Sequence, residues 1–397
     1  MVDAVARESY GRLVALLATR THDVAGAEDS LGDALLAALT TWPRDGIPKN
    51  PQAWLLTAAR NRLTDQSRHQ QVHDHSVPIL QLMTREFDEI VDPDDLPDER
   101  LKLLFVCAHP AIDPQIHTPL MLQTVLGLDA VAIGRAMLVA PRTIGQRLVR
   151  AKAKIRKTQI AFEIPTPDQI PQRLEAVLNA IYAAYGNSWE DADPRIAELG
   201  QEAIWLARVL REQMPQDPEV RGLLALMLYC EARRPARRSA DGRFVPLSEQ
   251  AANEWLMPMI EEAESELAAA AQMRRPGRFQ IEAAIQSVHA ERAHTGCTEW
   301  TAITAFYDQL IQLAPSIGGA VARAAAYAEV RGPAAGLALL DQIDPQAVNS
   351  YQPYWAVRAH LLQQLDRLQD ATTAFDHAIR LSEDDAVRAF LTEHRDR

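Results

Sequence analysis

Cysteine is almost missing from this chain: three in 397 residues, Cys107, Cys230 and Cys297, far apart and without a CxxC pair. That excludes a disulfide framework and a zinc ribbon, and leaves the thiols as reduced packing residues. Long apolar runs are missing too. No stretch approaches the roughly 18 residues of a membrane span, and the best, Gly222 to Cys230, is soon followed by Arg233 and Arg234. The N-terminal MVDAVARESYGRL has no unbroken apolar core of a secretory signal. A cytoplasmic protein without membrane contact is expected. Sustained alternation of apolar and polar residues is absent, which argues against strands. No glycine loop cradles phosphate, His69, His73 and His75 fall in a polar stretch, and Cys107 with His109 lacks a second ligand pair. No catalytic residue, metal or cofactor is therefore expected.

What is present is helical. Apolar residues recur every three to four positions in an alanine- and leucine-rich background that is 47% hydrophobic and 24% charged, so the fold class is all-α, with length for two or three domains. The net charge is −12, yet Arg100 to Lys157 holds ten Lys or Arg against two Asp, a local +8. An acidic protein with one basic island points to a confined site for a polyanion. Within the island, LDAVAIGRAMLVAPRTIGQRLVRAKAKIRK (residues 128–157) has the layout of a helix-turn-helix DNA reader. Val131, Ile133, Ala136 and Met137 are expected to face inward from its first helix, and Ile144 and Leu148 from its second.

Proline marks the seams. Helices are expected at 8–19, 25–40 and 51–68, with Asn50 as N-cap before Pro51 and the loop TWPRDGIPKN between the last two. Ile90 to Glu99, IVDPDDLPDE, mixes prolines with acids and reads as a linker. A second seam, IPTPDQIP, runs from Ile164 to Pro171. This gives a first domain over 1–75, an acidic linker over 76–99, a helix-turn-helix domain over 100–160 and a helical extension over 172–397. In the extension, residues 320–343 laid over 356–379 match Ala320 with Ala356, Val321 with Val357, Arg331 with Arg367, Ala335 with Ala371, Ala338 with Ala374 and Ile343 with Ile379. The offset of 36 is close to the tetratricopeptide period of about 34, and small alanines allow stacked helices to approach.

AGAEDSLGDALLAAL (residues 25–39), NPQAWLLTAARNRLTDQSRH (50–69) and TIGQRLVRAKAKIRK (143–157), in that order, resemble the two domains of extracytoplasmic-function (ECF) sigma factors of bacterial RNA polymerase. DERLKLLFVCAHPAI (98–112) and RGPAAGLALLD (331–341) resemble the subgroup with a large tetratricopeptide-like C-terminal extension. The resemblance implies bacterial RNA polymerase core and promoter DNA as partners. It implies that the helix with Glu28, Asp29, Asp33 and Leu36 docks on the polymerase, that the helix from Pro51 engages the melted promoter element, and that the second helix of the helix-turn-helix meets the upstream element. The chain departs from the family pattern at Ala132, where Glu is frequent, and at Ala140, where a small hydroxyl residue would cap the helix. YAAYGNSW (182–189) also replaces an Asn-Glu-Gly-Tyr-like run.

Chemistry assigns the individual contacts. Arg142 and Gln146 suit the base edges of guanine and adenine, while Thr143, Arg147, Arg150 and Lys154 suit phosphates or positioning. Arg44, Lys49, Arg60, Asn61, Asp65 and Arg68 are candidates for an unpaired strand beside a proline-bounded loop, whereas Trp54 reads as core. The basic run RRPARRSADGR (233–243) reads as a solvated turn. Intramolecular contacts between the extension and the two sigma domains, regulating them in cis, are expected from the extension's size and short tether. The competing reading is a helix-turn-helix regulator with a tetratricopeptide-like sensor that never meets polymerase; a pure protein scaffold would leave the basic island unexplained.

Overall fold

The computed structural model describes residues 2–71, 98–137, 139–166, 168–187 and 194–396. The chain is all-α, with no strand among the described residues. It divides into two compact units, residues 1–189 with 194–206, and residues 190–193 with 207–397. The expected acidic linker lies largely outside the described residues.

The first unit opens with α1 (Val2–Thr21), α2 (Val24–Asp45) and α3 (Pro51–Gln71). Asn50 caps α3 through its side-chain oxygen, which accepts from the Ala53 amide at 2.9 Å. Helix α2 continues five residues past its expected end at Thr40. Trp42 is buried edge-on against Trp54, with ring centroids 5.5 Å apart, and this contact holds the additional turn despite Pro43. Six consecutive residues of α1, Leu13 to Ala18, are buried. Such a run covers every face of a helix, so α1 is enclosed on all sides. Its neighbours are α2 and α3 on one side, and α4 (Arg100–Cys107) and α5 (Pro114–Thr124) on the other. Gly11 makes the second contact possible, because a Cβ there would collide with the carbonyl of Val125.

Helices α6 (Ala130–Met137) and α7 (Pro141–Thr158) follow, and after the proline seam α8 (Ile170–Asn187) packs back on α4 and α5. Its inward row includes Leu174, Val177, Leu178 and Ile181. The compact unit therefore runs past the seam, into the first part of α9 (Pro194–Gln213).

In the second unit, α10 (Pro218–Ala232) is the central helix, buried over most of its length. It lies between α11 (Met257–Gln272) and α12 (Arg278–Ala290), with Gly222 against the main chain of α12. Glu219 accepts from the amides of Phe279 and Gln280 at 2.9 and 3.0 Å and so caps α12 across the packing. Beyond a short helix α13 (Arg292–Thr295) come α14 (Trp300–Leu313), α15 (Ile317–Arg331) and α16 (Pro333–Leu340). A further short helix α17 (Pro345–Val348) leads to α18 (Gln352–Gln364), α19 (Leu368–Leu381) and α20 (Asp385–Arg395). The pair α15–α16 and the pair α18–α19 begin 35 positions apart at both helices. Each pair buries small residues at its seam, Ala324 with Gly336 and Ala359 with Ala371 and Ala374.

Candidate nucleic-acid interface

The helix-turn-helix is built from local capping. Asp129 caps α6, its Oδ1 accepting from the amides of Val131 and Ala132 at 2.9 and 2.8 Å. The Val139 amide bonds the Gly134 carbonyl at 2.9 Å and ends the helix. Ala140 offers no side-chain cap to α7, and Pro141 fills its first turn. The uncapped amides at this N-terminus, next to Arg142, favour an anion.

In α6 only Ile133 of the expected inward set is shown buried: Val131 is 55% exposed and Met137 36% exposed, while the side chain of Ala136 lies outside the described residues. The reason is geometric. Val131 lies two residues behind Ile133, about 160° around the helix and so on the opposite face, whereas Met137, only about 40° from Ile133, is the last residue of this eight-residue helix, where the packing stripe runs out. In α7 the buried row is Ile144, Leu148, Ala151 and Ile155, at helical spacing. The opposite face presents Arg142, Gln146, Arg150 and Lys154 to solvent, with Thr143 and Arg147 half-buried on its flank. Val149 stands among them 69% exposed. Sequence reasoning passed over it, although it is out of phase with the buried row. An apolar group in the middle of such a face can meet a thymine methyl.

The other flank of α7 turns toward α2. Lys152 ion-pairs with Glu28, both largely buried, and Arg156 lies 3.6 Å from Asp23. Lys102 is paired with Glu99, and Arg100 with Asp98 and Glu202. The basic island is thus sorted: these four cations are taken internally, and Arg142, Arg147, Arg150, Lys154 and Lys157 carry no ion pair among the described residues.

Around α3, Arg44 and Lys49 are exposed on either side of Gly46, which adopts a left-handed φ of 85°. Asn61 is exposed and Arg60 half-buried, eleven or twelve residues beyond Lys49 and so about 15 Å further along the helix axis. The side chains of Asp65 and Arg68 lie outside the described residues. On α2, Asp29 is exposed, Asp33 half-buried and Leu36 63% exposed beside Leu39 at 55%. Glu28 differs, being held under Lys152. Burial pushes its carboxyl above the usual range, and the Lys152 ammonium offsets only part of that.

The described residues contain no group of three or more His, Cys, Asp or Glu able to hold a metal ion. Burial pushes the Cys107 thiol up to about 12, far from a reactive thiolate. His117 is buried with Nε2 3.0 Å from the Ile112 carbonyl, and burial holds its pKa below the ordinary value. No helix of the described residues is long and apolar enough to cross a membrane.

Residues 5–72 match sigma-70 region 2, and residues 173–271 match a family of unknown function, DUF6596. No solved structure matches. Over 374 residues the chain is 36% identical to an uncharacterized protein of Rhizobium meliloti (strain 1021), covering 92% of this chain and 88% of that one. A sigma-70 region 2 domain implies binding to RNA polymerase core and promoter DNA, supports a role in transcription initiation, and belongs to proteins that are not enzymes. The chain belongs to one family with the Rhizobium meliloti protein and carries a sigma-70 region 2 domain at its N-terminus, which points to a sigma factor.

Proposed function

We propose that the protein is an ECF-type sigma factor that brings bacterial RNA polymerase core to specific promoters, with its C-terminal helices regulating it in cis. The observation that carries this reading is the union of a sigma-70 region 2 domain with an outward cationic face on α7, in one chain. Arg142 and Gln146 contact base edges of the upstream element, and Thr143, Arg147, Arg150 and Lys154 position the phosphates. Arg44, Lys49, Arg60, Asn61, Asp65 and Arg68 hold the melted strand. Glu28, Asp29, Asp33 and Leu36 form the polymerase-docking surface on α2. Two weak readers held on one enzyme gain affinity at a correctly spaced promoter through effective concentration.

The cis-regulatory part is supported by α8, which belongs to the DUF6596 match and packs on α4 and α5 beside the reader. The helix pairs starting 35 positions apart support a tetratricopeptide-like extension.

The test is reconstitution. Purified chain and core polymerase on a linear promoter fragment should give a defined transcript, and should co-elute without DNA. DNA binding with no affinity for core would favour the regulator reading instead.

A further inference from the structure

We propose that the second unit holds a site for a phosphate group, built by Arg233, Arg292 and the indole N–H of Trp255 where the end of α10, residues 244–256 and the α12–α13 junction meet. The site lies outside both expected DNA-contacting modules and does not depend on the sigma-factor reading.

The run RRPARRSADGR (233–243), expected as a solvated turn, is solvated only at its tip. Arg234 is paired with Glu231, Arg238 with Asp384 and Arg243 with Asp241. Arg233 takes no acid among the described residues. It is buried, and its donors go to neutral groups, Nε to the Tyr229 carbonyl at 3.3 Å and Nη2 to the side-chain carbonyl of Gln286. Arg292 is held in the same way. Its Nη1 and Nη2 donate to the carbonyls of Ser248 and Gln250 at 3.1 and 2.8 Å, and its guanidinium lies over the Trp255 ring, 5.0 Å from the centroid.

The two arginines belong to one cluster. The Leu256 amide bonds the Ala232 carbonyl at 2.9 Å, which fastens Trp255 beside the root of Arg233. Gln286, His289 and Arg292 follow at three-residue steps along one flank of the helical run. Burial and then both arginines hold His289 below the ordinary imidazole value, and burial with Arg233 lowers Arg292, with no carboxylate opposing either effect. Both guanidiniums keep their charge nonetheless. Donors are also left over. Arg233 Nη1 and Arg292 Nε make no hydrogen bond among the described residues, and Trp255, 4% exposed, buries its Nε1 without a partner.

Cations withdrawn from water without a counter-charge are costly to keep, and guanidinium groups match phosphate oxygens in paired hydrogen bonds. A phosphate dianion balances both charges, whereas a single carboxylate balances one. The burial of Arg233 keeps out a duplex backbone, so the phosphate comes as the free ion or on a small molecule.

Calorimetric titration of the full chain with inorganic phosphate, at an ionic strength held constant with sodium chloride, tests the site. The expected result is saturable binding at one site per chain and a Tm raised by about 2 °C or more. Glycerol 3-phosphate in the same titration separates the sources: tighter binding than the inorganic ion identifies a phosphorylated small molecule, and equal or weaker binding identifies the free ion. Arg292→Met, which keeps an apolar stem and removes the charge, should weaken binding about ten-fold or more, and Trp255→Phe, which removes the N–H, about three- to five-fold. Replacing Arg142, Arg150 and Lys154 together by alanine should leave the affinity unchanged, because those cations lie in the first unit. Phosphate that stabilises no more than chloride overturns the proposal. Binding undiminished in Trp255→Phe and Arg292→Met, or lost with the three alanines, overturns it as well. Should Arg292→Met lose helical content, Trp255→Phe alone decides. Binding of the same chain to core polymerase bears only on the sigma reading.

Discussion

Arg173, on the first helix after the second proline seam, is buried and donates through Nη1 to the main-chain carbonyl of Phe105 at 3.5 Å. A helix that sequence alone assigns to the extension is thereby part of the core of the first unit. Truncation should reveal this. Ending the chain at residue 171 removes Leu174, Val177, Leu178, Ile181 and Tyr185 from that core. At about 1.5–3 kcal/mol per buried large side chain, the loss is comparable to the 5–15 kcal/mol that typically holds a domain. Residues 1–171 should lack a cooperative thermal transition by circular dichroism, whereas residues 1–206 should melt cooperatively.

Two glycines should respond in opposite directions. At Gly145 an added Cβ meets open space, so Gly145→Ala should stabilise α7 by up to about 1 kcal/mol and raise Tm by about 2–4 °C. At Gly11 the Cβ meets the Val125 carbonyl, and Gly11→Ala should lower Tm by several degrees, because two backbones must part. Differential scanning calorimetry of the full chain measures both.

These contrasts show what the residue pattern conveys. The inward row of α7, the Asn50 cap and the helical class follow from spacing and side-chain type, and all are visible in the sequence. The extra turn of α2 is not, because Trp42 finds Trp54 only after folding. Nor is the fate of Lys152 and Arg156, which look like any other cations of the island until α2 lies against their flank. Likewise Val131 and Met137 are plausible core residues by type, but Val131 stands on the face opposite Ile133 and Met137 falls at the very end of α6. Local periodicity is legible, whereas the pairing of Lys152 and Arg156 depends on contacts across more than a hundred residues.

On DNA, Arg142→Ala and Gln146→Ala should each weaken the selected upstream element by about 1–3 kcal/mol and relax preference at one base position. Lys154→Ala should weaken all sequences alike and reduce the magnitude of the salt slope by about one. Fluorescence anisotropy at several salt concentrations separates the two behaviours. Uniform losses for Arg142→Ala would remove its base-reading role.

In the second unit, His289 lies edge-on to Trp300 with centroids 5.4 Å apart. Burial, reinforced by Arg233 and Arg292, brings its pKa down to about 4. The folded state thus binds fewer protons at this site than the unfolded chain, so its contribution is present above the unfolded value of about 6.5 and is lost as pH falls toward 4. Melting followed from pH 7 to pH 4 should show a decline attributable to this residue. His289→Phe should flatten that part of the profile, and an unchanged slope would contradict the assignment.

The central claim is that the two N-terminal modules act together on RNA polymerase. Its most direct measurement is equilibrium binding of the labelled full chain to purified bacterial core enzyme, followed by run-off transcription from a linear promoter fragment. The account predicts saturable binding without DNA and a transcript that disappears when Arg142, Arg150 and Lys154 are all replaced by alanine. No binding to core, or a transcript indifferent to those three changes, would contradict it.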